Sequence, residues 1–165
     1  MDNGAVEIEG NAMRLKREGN PEAAAHMLEV LLNSHPDWEH GHGHYALAEC
    51  YESIGSIEKA GFAFNRALQF DPESNLFLSG YASFLYIRGD SRMAIDLHLR
   101  LYAIYLNQNN FDGAARTLRA IEHLGKRLNL NANVIRTILD AQQIWTTSPR
   151  FVTWRRCSEE VILTR

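Results

Sequence analysis

Long apolar runs are missing from this chain. No stretch of about eighteen consecutive apolar residues occurs, so no transmembrane helix is expected. Cysteine is scarce. Cys50 and Cys157 stand far apart and in no CxxC pair, which fits buried or idle thiols in a reducing cytosol, with a single bridge between them as the minor alternative. Met1 to Asn11 carries Asp2, Glu7 and Glu9 but no basic residue, so a signal peptide is not expected and the expected location is cytoplasmic. Catalytic signatures are missing as well: there is no phosphate-binding glycine loop, no HExxH, no G-x-S-x-G, and no acid pair in helical register. The chain is therefore not expected to be an enzyme or to need a cofactor.

What is present is enough for a sizeable core. The 165 residues are 45% hydrophobic and 10% aromatic, the composition of a globular domain. The net charge of −3 is unevenly spread, at −8 over residues 1–75, +1 over 76–125 and +4 over 126–165. Solvated helix faces account for most such runs; the sharper reading is an acidic front that attracts a basic segment. Arg150, Arg155, Arg156 and Arg165 are too few and too dispersed in an acidic chain to suggest nucleic acid.

The informative feature is self-similarity. Residues 44–72 read HYALAECYESIGSIEKAGFAFNRALQFDP. A shift of 34 places Tyr81, Ala82, Leu85, Gly89 and Ala94 on Leu47, Ala48, Tyr51, Gly55 and Ala60. A shift of 36 the other way places Ala12, Leu15, Gly19, Ala24, Leu28, Leu31 and Pro36 on Ala48, Tyr51, Gly55, Ala60, Phe64, Ala67 and Pro72. Three copies of one unit follow. In each, alanines sit where two helices cross closely (Ala12 with Ala24, Ala48 with Ala60, Ala82 with Ala94), and Gly19, Gly55 and Gly89 end the first helix in a left-handed turn. Asn20, Ser56 and Asp90 then supply cap-type side chains, Pro21 suits a first helical turn, and Pro36 and Pro72 stop the second helices.

This pattern resembles the tetratricopeptide repeat (TPR) family, W-x2-L-G-x2-Y, then A-x3-F, then P at a 34-residue period. The middle unit carries Leu47, Tyr51, Ala60, Phe64 and Pro72 at those positions, with His44 in place of the tryptophan and Ala48 in place of the glycine. The resemblance implies an all-α fold, a right-handed superhelix or solenoid of antiparallel helix pairs. Residues 1–147 are expected to form the helical repeat domain, with units near 5–38, 41–74 and 75–108 and capping helices over 111–147; 148–165 form a packed or flexible C-terminal tail. Beyond the third unit, helices are expected from about 111 to 124, with a turn at Gly125, and from about 131 to 147, with Val134, Ile138, Ala141 and Trp145 along one face.

Residues 35–44, HPDWEHGHGH, raise a metal question. In a helix His40 and His44 share a face and His42 does not; in an extended segment His40, His42 and His44 align. Gly41 and Gly43 weaken a helix start by roughly 1 kcal/mol each. A helix start with one packed histidine is the expectation, and a metal-binding or sensing cluster of His35, His40, His42 and His44 is the alternative, for zinc, copper or nickel. His98, at the position of Phe64 in the preceding unit, is expected at the core edge.

In a TPR superhelix the first helices line the concave wall. By register that wall carries Val6, Glu9, Met13 and Lys16, then His42, Tyr45, Glu49 and Glu52, then Leu76, Ser79, Ser83 and Tyr86. Aromatic anchors beside an acidic patch suit an extended or helical peptide with apolar anchors and some positive charge. TPR members that clamp the acidic tails of large chaperones use lysine, arginine and asparagine here; the corresponding Glu9, Met13, Ala46, Leu76 and Gly80 lack that clamp. The resulting expectation is a non-enzymatic protein-interaction module or scaffold. In length, repeat number and acidic character it is similar to the small cytosolic chaperones of bacterial secretion that hold translocator proteins in their groove. A protein or peptide partner is expected, without nucleic acid or membrane, and Trp154 and Ile162 in the tail suggest a homo-oligomer.

Overall fold

The computed structural model describes residues 3–131, 133, 135 and 136. Among these the regular structure is helical: α1 (Asn3–Arg17), α2 (Pro21–Ser34), α3 (His42–Ile54), α4 (Ile57–Phe70), α5 (Asn75–Arg88), α6 (Ser91–Asn107) and α7 (Phe111–Arg127), with a short 3₁₀ turn at Trp38–Gly41. The chain divides into two compact units, the first ending at Gly89 and the second beginning at Asp90.

In the first unit each helix packs on its neighbour in sequence, α1 on α2, α2 on α3, α3 on α4 and α4 on α5. The reason is visible residue by residue. Ala12, Ala24, Ala48, Ala60 and Ala82 are all at 0% exposure, so the helix crossings are built on methyl groups, and Leu28, Leu31 and Phe64 fill the space beside them. Each fully buried leucine or phenylalanine contributes about 1.5–3 kcal/mol. Gly19, Gly55 and Gly89 adopt φ of +82°, +82° and +85°, the left-handed conformation that closes a helix at no Cβ cost. Asn20 accepts the Ala23 N–H and Ser74 the Phe77 N–H, whereas Ser56 makes no side-chain cap bond. α2 and α4 stop two residues before Pro36 and Pro72.

The second unit is an α6–α7 pair. Ala94, Leu99, Leu101, Tyr102 and Leu106 of α6 and Ala114, Ile121 and Leu124 of α7 are buried. Asn109, at φ +56°, ends α6, and Asn110 caps α7 by accepting the Gly113 N–H. The turn expected at Gly125 does not occur there: α7 continues to Arg127. Gly125 is buried inside the helix, and a Cβ there would lie 3.2 Å from Ile135 Cγ1, so the glycine serves close packing. Residues 133, 135 and 136 are helical, while Val134, Ile138, Ala141 and Trp145 of the expected last helix and the whole tail 148–165 lie outside the described residues.

Candidate functional site

The groove residues singled out in the sequence lie on α1, α3 and α5 of the first unit. α1 presents Val6, Glu9, Met13 and Lys16 at helical spacing, α3 His42, Tyr45, Glu49 and Glu52, and α5 Leu76, Ser79, Ser83 and Tyr86. Two contacts stitch the three helices together on this side. Lys16 Nζ of α1 pairs with Glu49 of α3 at 2.5 Å, both partly buried. The Tyr45 ring of α3 stacks on Phe77 of α5, with centroids 5.3 Å apart, and meets Phe64 edge-on at 5.6 Å. Gly80 makes that seat: a Cβ there would lie 2.6 Å from Tyr45 Cε2.

These contacts separate wall from exposed surface. Tyr45 is wall, half-buried, and burial together with Glu49 and Glu52 pushes its hydroxyl up to about 12, so it stays a neutral donor. Glu49 already holds Lys16. Ser83 donates to the Ser79 carbonyl at 2.9 Å and Ser79 to that of Leu76 at 3.0 Å, so both hydroxyls fold back on α5. Of these residues Val6 is 46% exposed, Leu76 45% and Tyr86 36%, His42 and Ser83 are exposed as well, and Glu9 and Glu52 are partly exposed.

The histidines do not converge. Among the described residues no three His, Cys, Asp or Glu side chains are placed to hold one metal ion. Neither a continuous helix nor an extended strand runs through His40–His44. Glu39 and His40 take positive φ (45° and 52°) in the 3₁₀ turn, Gly41 follows at φ +101°, and α3 begins only at His42. The four rings therefore go to four places. His35 sits edge-on to Trp38, His40 is exposed in the turn, His42 lies 5.0 Å edge-on from Phe77, and His44 stacks on Phe70. His44 Nε2 donates to the Pro36 carbonyl at 2.8 Å, tying the turn to α3.

Gly41 and Gly43 have a role that their helix propensity conceals. A Cβ on Gly41 would lie 2.8 Å from the Ala67 carbonyl oxygen, and one on Gly43 would lie 2.9 Å from Leu32 Cδ2. They let α3 start in close contact with α4 and α2. His98 is half-buried on α6, at the core edge, and burial lowers its pKa. Cys50 is buried at 0% exposure and burial pushes its thiol up, as for an inert core residue; Cys157 lies outside the described residues.

His44 gives a pH prediction. Burial, helped by the Arg66 charge and opposed by the Pro36 hydrogen bond, lowers its pKa below 6.5. The unfolded chain then binds more protons than the folded one between the two values, so the contribution to stability is whole above about pH 6.5 and is lost as pH falls through the folded value. Thermal unfolding should occur at lower temperature at pH 5.5 than at pH 7.5, and His44→Gln should flatten that difference. An unchanged slope in the variant would place the dependence elsewhere.

No protein-family model and no curated protein matches the sequence. Solved structures do match in three dimensions. The type III secretion translocator chaperone SycD of Yersinia enterocolitica superposes with a TM-score of 0.66 at 15% identity, over 79% of this chain and 89% of that one. The fold is TPR-like. A second SycD structure, in an alternative dimer, gives 0.65 at 15% identity over 79% of this chain and 98% of that one. MamA of Desulfovibrio magneticus RS-1 gives 0.56 at 13% identity over 90% of this chain and 99% of that one. The TPR-like fold assigns the paired helices and their repeat; at these identities it does not assign a ligand. No described helix is long and apolar enough to cross a membrane.

Proposed function

We propose that the chain is a non-enzymatic, cytoplasmic protein-interaction module of the secretion-chaperone kind, which holds a segment of a partner protein on the first-helix face of its first unit. The observation that carries this reading is the surface left between α1, α3 and α5 once the Lys16–Glu49 and Tyr45–Phe77 contacts are made: exposed Val6, Leu76 and Tyr86 interspersed with Glu9 and Glu52. A segment offering apolar anchors with lysine or arginine between them suits such a surface. The likeness of fold to a translocator chaperone supports a partner of that kind. Self-association belongs to the same reading, as SycD also occurs as a dimer.

The test is to purify the tagless full chain with what copurifies, identify the stoichiometric partner, and measure its binding to variants. Tyr86→Ala and Glu52→Lys should each weaken binding about tenfold, the loss expected for truncating an anchor or reversing a charge in an interface. Tyr45→Phe keeps the ring that seats on Gly80 and should bind normally. Retention of the partner by Tyr86→Ala and Glu52→Lys alike would remove the first-helix face from the reading.

A further inference from the structure

The opposite side of the first unit carries an open cleft of about 540 Å³, walled by α2 and α4 with α3 beneath. Leu32, Leu47 and Ala63 supply apolar surface in it. At its edge stands Phe62, 71% exposed, a large aromatic that the packing of α4 leaves outside. Lys59, Phe62 and Arg66 follow one another at three- and four-residue spacings, so α4 presents them as one stripe along the cleft.

The charges are ordered along that stripe. At the Tyr51 end, Glu29 of α2 accepts the Tyr51 hydroxyl, Glu58 stands beside it on the rim, and Lys59 Nζ lies 5.2 Å above the same ring. At the other end Arg66 and His44 share the Phe70 ring, Arg66 5.5 Å from its centroid and His44 stacked at 5.4 Å. Among the described residues no carboxylate lines this end. Arg66 donates only to the neutral Gln69, at 2.6 Å, and no ion pair among the described residues includes Lys59 or Arg66. A guanidinium beside an exposed aromatic and an apolar floor, without its own acid, is complementary to a carboxylate carried one turn from a large apolar side chain.

We propose that the α2–α4 cleft is a second docking surface, for an acidic amphipathic segment of a partner protein that seats an apolar side chain against Phe62 and the Leu32–Leu47 floor and places a carboxylate on Arg66. Its preference is opposite to that of the first-helix face, where Glu9 and Glu52 favour positive charge. One unit can then hold two different segments at once, one on each side of its helices.

The experiment selects 16-residue helical peptides from a displayed library on the full chain, on Phe62→Ala and on Arg66→Glu. Both substitutions are at surface positions, and circular dichroism verifies that the variants fold. Peptides enriched on the parent chain and lost on Phe62→Ala should carry aspartate or glutamate one turn from a large apolar residue. Synthesised singly, they should bind Phe62→Ala and Arg66→Glu about tenfold more weakly and Tyr86→Ala unchanged, with binding that falls as salt rises. The Tyr86 variant separates this surface from the first-helix face. The proposal fails if no selected peptide depends on Phe62, or if those that do are basic or uncharged. It also fails if Phe62→Ala dissolves a dimer in sedimentation, which would give the cleft to a second copy of the chain.

Discussion

Phe64→Ala should destabilise the protein by about 3–5 kcal/mol, the usual cost of emptying a buried aromatic site. Phe64 is 1% exposed and is the ring on which three others rest: Tyr81 stacks on it at 5.4 Å, Phe84 lies at 5.3 Å, and Tyr45 meets it edge-on. Through it α4 holds α3 and α5 together. The cavity cannot collapse cheaply, because Ala60, Ala63 and Ala67 on the same helix are already in contact with their neighbours and have no side chain to move in. Urea unfolding should show the loss as a lower midpoint at an unchanged slope. Phe62, two residues earlier on α4 and 71% exposed, provides the contrast, since Phe62→Ala should stay within about 0.5 kcal/mol of the parent. Equal losses at the two positions would mean that α4 is oriented differently. Because Tyr45 leans on Phe64, the loss should also reach the first-helix face, so a bound segment should be held less tightly by any Phe64→Ala chain that remains folded.

The repeat positions were readable in one dimension because each obeys a constraint of its own. A crossing that admits only a methyl group selects alanine, and a left-handed residue selects glycine, whatever else is nearby. That is why a period near 34 located Ala12, Ala48 and Ala82 at full burial and Gly19, Gly55 and Gly89 at positive φ. The all-α TPR-like fold follows from those positions. Glycines that serve a particular partner were not readable. Gly80 is needed because Tyr45 sits on it, 35 positions away, and Gly125 because Ile135 does. Nothing near either glycine in sequence announces the partner, so the first looked merely like a missing clamp residue and the second like a turn. The histidine stretch reads as a helix start with one packed ring, which His44 is, but the reversal of backbone hand at Glu39 and His40, which sends each ring to a different neighbour, has no signal in the spacing. For the residues of the first helices, only the contacts distinguish the exposed Tyr86 from the half-buried Tyr45 and the committed Glu49 from Glu52. The α2–α4 cleft had no sequence signal, because an aromatic at position 62 of an amphipathic helix reads the same whether it is inside or out.

Gly41→Ala should cost about 2–4 kcal/mol, more than any helix-propensity scale allows for exchanging glycine for alanine. Propensity predicts a gain of up to about 1 kcal/mol in a helix interior, so the two accounts differ in sign. Gly41 stands just before α3 at φ +101°, farther from the right-handed region than the usual left-handed well, and an L-residue there is strained by roughly 1–2 kcal/mol. Its Cβ would also lie 2.8 Å from the Ala67 carbonyl oxygen and 3.1 Å from Phe70 Cβ, on a backbone that α4's own hydrogen bonds fix. Relief therefore requires moving the start of α3 away from α4, and overpacking of this kind costs about 1–3 kcal/mol. Any such movement pulls at the His44–Pro36 hydrogen bond and the His44–Phe70 stack, which lie immediately beyond the glycine. Gly41→Ala should accordingly lower the unfolding temperature by about 10 °C and reduce the pH dependence assigned to His44, because a loosened imidazole is no longer desolvated. Thermal unfolding of the variant at pH 5.5 and 7.5 measures both effects together. A variant as stable as the parent would show that α3 begins with a conventional helical cap and that the close approach of α3 to α4 is not a requirement of the fold.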